Sequence, residues 1–151
     1  AIHIMSHALL LWRTDGANES KEMTVAAMGI NGWPTFWVEP VYKALADFAD
    51  ESKRDAALAS IDTAWADQLI LPEIMLIVRS LLGDLDGAME IAELLEAEGE
   101  AFSTELIFIP EIAALRKHPG FIPLLERLGI VAYWDELGCT WDGDRVHCPT
   151  N

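Results

Sequence analysis

The chain has 151 residues, 52% of them apolar, and 25 acidic against 10 basic side chains give a formal net charge of −15. That length suits one domain burying roughly two thirds of its unfolded surface without disulfide or metal staples. The charge repels nucleic-acid phosphates and anionic headgroups, which argues against direct nucleic-acid or membrane binding. No apolar run approaches the ~20 residues of a membrane span.

The opening Ala1-Ile2-His3-Ile4-Met5 lacks the basic start of a signal peptide, so it reads as the interior of a longer polypeptide. Ile2 to Thr14 and Glu19 to Ile30 predict a first helix pair, with Gly16 stopping one helix and Asn18 capping the next. Its apolar positions Ile2, Ile4, Met5, Leu9 and Trp12 begin in mid-pattern, which predicts self-association through this pair, as a homodimer. Gly29-Ile30-Asn31-Gly32 is a helix stop, and Trp33-Pro34 extends the break. Phe36 to Ala49 then predicts a helix with Trp37, Val41, Ala44, Leu45 and Phe48 on one face. Ser52-Lys53-Arg54-Asp55 has the spacing of a capping box, opening a helix that carries Ala57, Leu58, Ile61, Ala64 and Trp65.

The clearest pattern follows. Ile74, Ile77, Val78, Leu81 and Leu82 fall at i, i+3, i+4, i+7 and i+8, and Leu85, Ala88, Ile91, Ala92 and Leu95 form a second stripe after Gly83. The turns at Gly16, Asp50 and Gly83 are 34 and 33 residues apart, near the ~34-residue tetratricopeptide period. Residues 1–99 are therefore expected to form helical repeat pairs. Residues 100–138 are expected to form capping helices, with Pro110 in a first turn, Arg116, Lys117 and His118 at a helix end, and Gly129 and Gly138 as stops. Phe121, Leu124, Leu125, Leu128, Tyr133 and Trp134 should cover the last repeat. Residues 139–151 form an irregular tail, or a small β-ribbon turning at Asp142-Gly143. The expected fold is all-α, an antiparallel helix-pair superhelical stack with a short C-terminal cap.

From Gly83-Asp84 through Pro110-Glu111, Leu115-Arg116, Pro119, Phe121, Leu125, Leu128-Gly129-Ile130 and Tyr133-Trp134, the chain resembles the C-terminal tetratricopeptide-like region of two bacterial families. These are winged-helix transcriptional regulators and class III adenylate or guanylate cyclases. The resemblance covers about the last half of the chain. It implies an interaction or regulatory module whose DNA-binding or cyclase domain lies N-terminal to this segment. The tail departs from the pattern, lacking a Pro-Asp-aromatic-Cys run.

Chemistry-bearing residues are sparse. Cys139 and Cys148 are read first as free thiols, with a disulfide and a soft-metal site using His147 and Asp142 or Asp144 as the alternatives. His3 and His7 share a helical spacing that metals exploit, but Ile4 stands where a zinc hydrolase needs Glu. Ser6 and His118 have no nucleophile elbow around them, and Glu90 and Glu93 face water at helical spacing. Trp65 and Trp134 fit core stripes. Trp33, Trp37 and Trp141 border breaks and are candidates for a partner groove.

The expected function is a non-catalytic protein- or peptide-binding regulatory module of a larger bacterial protein, with no catalytic, cofactor or metal residues. A small-molecule-sensing helical domain and a metal-dependent enzyme using the Cys/His tail are the alternatives. The expected location is cytoplasmic, or periplasmic if Cys139 and Cys148 are bridged.

Overall fold

The structure, a computed structural model, describes residues 2–14, 16–97 and 104–149, with side chains from Ala8 onward. Among the described residues the chain is all-α apart from one small ribbon. Its helices are α1 (Ile2–Arg13), α2 (Ala17–Ile30), α3 (Val38–Ala46), α4 (Glu51–Ala66), α5 (Pro72–Leu82), α6 (Leu85–Ala97), α7 (Phe121–Arg127) and α8 (Ile130–Glu136). Two 3₁₀ segments, Leu106–Phe108 and Pro110–Lys117, precede α7, and strands β1 (Thr140–Trp141) and β2 (Val146–His147) close the chain. The residues fall into two compact units, Ala1–Leu71 and Pro72–Asn151. Among the described residues no helix is long and apolar enough to cross a membrane.

In the first unit α2 packs on α1 and α3, and α3 packs on α4. The inner face of α2 is small: Ser20, Thr24, Ala27 and Met28 are buried. The Ser20 hydroxyl donates to the Ala8 carbonyl at 2.7 Å, and the Thr24 hydroxyl donates to the Ser20 carbonyl at 2.9 Å. Both Oγ atoms then face the Tyr42 hydroxyl, at 2.7 and 2.9 Å. Three hydroxyl protons serve four contacts, so the Tyr42 proton is shared between two acceptors. Trp12 and Tyr42 meet in a T-shaped contact with centroids 5.7 Å apart, which joins α1 to α3.

Several sequence expectations shift here. Gly16, not Asn18, stands at the N-cap of α2, because that helix begins at Ala17. Asp50, not Ser52, caps α4: its carboxylate accepts the Ser52 and Lys53 N–H groups at 3.0 and 3.3 Å and the Ser52 hydroxyl at 2.6 Å. The hydroxyl bond is the main reason the Asp50 carboxyl lies below its ordinary range. The third helix is shorter than Phe36 to Ala49, since the backbone leaves helical geometry at Asp47, and Phe48 lies exposed beneath the Arg54 guanidinium. Pro40 sits in the first turn of α3, where no backbone N–H is needed. Gly32 and Gln68, both at positive φ, terminate α2 and α4, with Trp33 N–H returning to Met28 O and Leu69 N–H to Ala64 O.

In the second unit α5 is buried nearly all round. Ile74, Met75, Leu76, Ile77, Val78, Ser80 and Leu82 are all core, so it is a central helix and not one with a single apolar stripe. It packs on α6 and on the 3₁₀ segment Pro110–Lys117. The Ser80 hydroxyl donates to the Leu76 carbonyl, so its burial leaves no orphan group. Ala88 and Ala92 on α6 are fully buried and leave room for a close approach. The α5–α6 turn is fixed by Gly83 at φ +80° and by Asp84, whose carboxylate accepts the Gly87 N–H and pairs with Arg79.

Of the expected capping stripe Phe121, Leu124, Leu125 and Leu128, the first three are fully buried and Leu128 is half-buried. Tyr133 is not part of that cover. It is 60% exposed, and no residue of α8 is fully buried, though Ile130, Val131 and Trp134 are half-buried.

A Cβ on Gly87 would collide with both the Arg79 guanidinium and the Asp84 carboxylate. Gly87→Ala should therefore forfeit the ~1 kcal/mol gain of an ordinary helical Gly→Ala change and leave stability unchanged or lower. Urea unfolding measures this, and a gain near 1 kcal/mol would mean that the ion pair moves aside freely.

Candidate functional site

The second unit ends in a face built from aromatic rings. Its foundation is Arg116, in the last turn of the segment Pro110–Lys117, with a side chain 12% exposed. The guanidinium donates to the carbonyls of Ile107, Phe108 and Ile109 at 3.4, 2.7 and 2.9 Å. A short 3₁₀ turn leaves carbonyls unsatisfied at its end, and a charged donor satisfies those of Ile107 and Phe108 and adds to the Ile112 N–H on that of Ile109. Phe108 is thereby held where its ring meets Trp134 of α8, centroids 6.3 Å apart. Arg116 also approaches the Asp144 carboxylate in the tail at 3.7 Å.

The tail folds back because of two glycines. Gly138, at φ +69°, ends α8, and the Cys139 N–H returns to the Trp134 carbonyl at 2.8 Å. β1 then pairs antiparallel with β2, Thr140 opposite His147 and Trp141 opposite Val146. The turn is an Asx arrangement: Asp142 Oδ1 accepts the N–H groups of Asp144 and Arg145 at 2.9 and 2.8 Å, while Gly143 takes φ +101°. The ribbon predicted at Asp142-Gly143 is thus present.

Cross-strand partners share one face, so Trp141 and Val146 lie together, both half-buried, while Thr140 and His147 are exposed. Trp141 stacks on Trp134 with centroids 5.6 Å apart and planes 11° from parallel. Its other neighbour is buried Phe121, at 5.9 Å. Phe108, Trp134, Trp141 and Phe121 form a continuous ladder, with exposed Tyr133 and Leu137 beside it.

Cys139 and Cys148 are joined by a disulfide, which replaces the free-thiol reading. Their sulfurs are committed to each other and are not thiolate ligands. Among the described residues no group of three or more His, Cys, Asp or Glu side chains is placed to hold a metal ion. His147 Nε2–H instead donates to Asp142 Oδ2 at 2.6 Å. That contact, with the two backbone N–H groups, pulls the Asp142 carboxyl far below the ordinary carboxylate range.

The other sequence candidates are dispersed. Trp37 is only 1% exposed, so it is core and does not line an open groove; its apolar neighbours Val38, Val41 and Ala44 on α3 are buried with it. Trp33 is half-buried at the break after α2, in the first unit, whereas Trp141 belongs to the second. Trp65 and Trp134 are half-buried and not full core residues. The side chains of His3, His7 and Ser6, with Ile2, Ile4 and Met5, lie outside the described residues. His118 uses both ring nitrogens: Nδ1 accepts the Gly120 N–H at 3.0 Å, so Nε2 carries the proton that reaches Asp86 at 2.9 Å. Glu90 is exposed, and Glu93 pairs with Arg127 at 3.2 Å.

No family model, curated protein or solved structure matches this chain.

The depressed Asp142 carboxyl contributes to the turn at pH values above its unfolded pKa of about 4, and that contribution is lost as pH falls through the lower folded value. The Arg145 amide resonance should therefore show an acid shift that lies well below the ordinary carboxylate range, as Asp142 titrates. In Asp142→Asn the acid shift should be absent. The same titration in that variant would mean that another group controls the turn.

Proposed function

We propose that this chain is a non-catalytic, protein- or peptide-binding regulatory module, and that the aromatic face of its second unit is where the partner docks. One observation carries the reading. α8 is Ile130-Val131-Ala132-Tyr133-Trp134-Asp135-Glu136, an apolar sequence, yet none of its residues is fully buried: Ile130, Val131 and Trp134 are half-buried, and Tyr133, with Leu137 just after the helix, is exposed. Contiguous exposed apolar surface with a polar rim is characteristic of interaction sites, and Tyr and Trp are the side chains that most often anchor them. Asp135 and Glu136, on a chain of net charge −15, favour a partner with basic residues flanking an apolar segment.

The helix pairs support a tetratricopeptide-like arrangement, with α5–α6 as the unit nearest that pattern through its Gly83 turn and small Ala88 and Ala92 contacts. On that reading the chain is the C-terminal part of a larger bacterial regulator or cyclase. The bridged Cys139–Cys148 pair supports the periplasmic alternative over the cytoplasmic one, since disulfides persist in oxidising compartments.

Immobilised wild-type chain and the double variant Tyr133→Asp/Leu137→Asp test the docking face on crosslinked extract of the source cells. Both positions are exposed, so stability should change by less than about 0.5 kcal/mol each. Partner capture should fall by at least about tenfold. Equal capture by both chains would contradict the assignment of this face.

Self-association through α1 and α2 is a second reading, favoured by the exposure of Leu10, Val25 and Ile30 at 52%, 40% and 71%. Sedimentation equilibrium should show a dimer that Leu10→Glu converts to monomer with its helix content intact. A wild-type monomer at high micromolar concentration would contradict it.

A further inference from the structure

The disulfide and the aromatic ladder meet in a way that suggests control. Cys139 follows directly on the left-handed Gly138 and is 5% exposed, while Cys148, after β2, is exposed. The bond therefore joins a buried residue to an exposed one, and access decides which sulfur a thiolate attacks. The ribbon that it closes consists of two strands of two residues each. A ribbon of that size has no independent stability. Its other attachments are the Trp141 stack on Trp134, the contact with Phe121, and the 3.7 Å approach of Asp144 to Arg116.

We propose that Cys148 is a site of thiol–disulfide exchange with a dithiol reductant, and that the Cys139–Cys148 bond latches the tail ribbon over Phe121 and Trp134. A thiolate of the reductant attacks Cys148 Sγ, forming a mixed disulfide. The Cys139–Cys148 bond breaks, and Cys139 leaves as a thiolate that takes a proton from water. The second thiol of the reductant then attacks its own bound sulfur, releasing Cys148 as a thiol. Two electrons pass to the protein, which gains two protons, and the reductant ends as its own disulfide.

With the latch open, Trp141 is tethered from one side only, at Cys139. The stacked face of Trp134 and the ring of Phe121 then become available, enlarging the apolar surface beside Tyr133 and Leu137. That last step deepens the proposed docking role and rests on it, whereas the latch itself rests on geometry within the isolated chain. The two can therefore fail separately.

The test uses the whole chain without a partner. Brief exposure to limiting glutathione, acid quenching and peptide mapping should place the mixed disulfide on Cys148. Full reduction by dithiothreitol should speed tryptic cleavage after exposed Arg145 by at least about tenfold, the expectation for a segment freed from a local fold, with the far-UV helix spectrum unchanged. The Cys139→Ser/Cys148→Ser variant should be cleaved at the reduced rate without reductant. A mixed disulfide mainly on Cys139, or cleavage unaffected by reduction or by the double substitution, would overturn the proposal. So would loss of helix on reduction, which would make the bond a staple of the whole unit.

Discussion

The aromatic face of the second unit depends on one half-buried cation. Arg116 donates to three successive carbonyls at the end of the 3₁₀ turn and reaches the tail through Asp144. A segment with only 3₁₀ hydrogen bonds has weak intrinsic persistence, and hydrogen bonds to a charged group are worth roughly 1.5–3 kcal/mol where neutral ones give about 1. The guanidinium therefore fixes Phe108. Phe108 places one side of Trp134, and Trp134 offers the surface on which Trp141 stacks. Lysine could not replace it, because a single ammonium lacks the planar fork that spans several carbonyls.

What was legible from the sequence follows the same physics. Stripes at 3.6-residue spacing located α5 and α6 within a residue or two, because apolar faces there bury directly against one another. Gly129 and Gly138 were readable as stops because a left-handed residue after a helix strongly favours glycine. The Asp142-Gly143 turn was readable for the same reason. Caps were harder. Asp50 and Gly16 won over Ser52 and Asn18 because the helix begins where backbone geometry and neighbouring donors agree, and single residue types do not determine that.

The aromatic face was only partly legible. Trp141 was recognisable as a ring beside a break. Trp134 fitted a core stripe, and the reversal at Gly138 folds the tail back so that Trp141 stacks on it. Phe108 sits in a 3₁₀ turn, which has no 3.6-residue period to expose it. Arg116 looked like a cation at a helix end. Its grip on carbonyls seven to nine residues earlier depends on tertiary folding that local pattern does not encode. Trp37 shows the reverse case, where a ring beside a break is core because the helix it begins packs inward.

The same ladder gives the proposed function its physical basis. A stacked pair of indoles, a disulfide across a small ribbon and a neighbouring helix with no fully buried residue place apolar surface at the boundary of a stable core. The most direct check is a nuclear Overhauser spectrum of the oxidised chain, observing indole protons of Trp134 and Trp141. The account predicts ring-to-ring cross-peaks between them, and from Trp141 to Phe121. Absence of both, with random-coil shifts from Thr140 to His147, would contradict it, because the tail would then form no face with the rest of the unit.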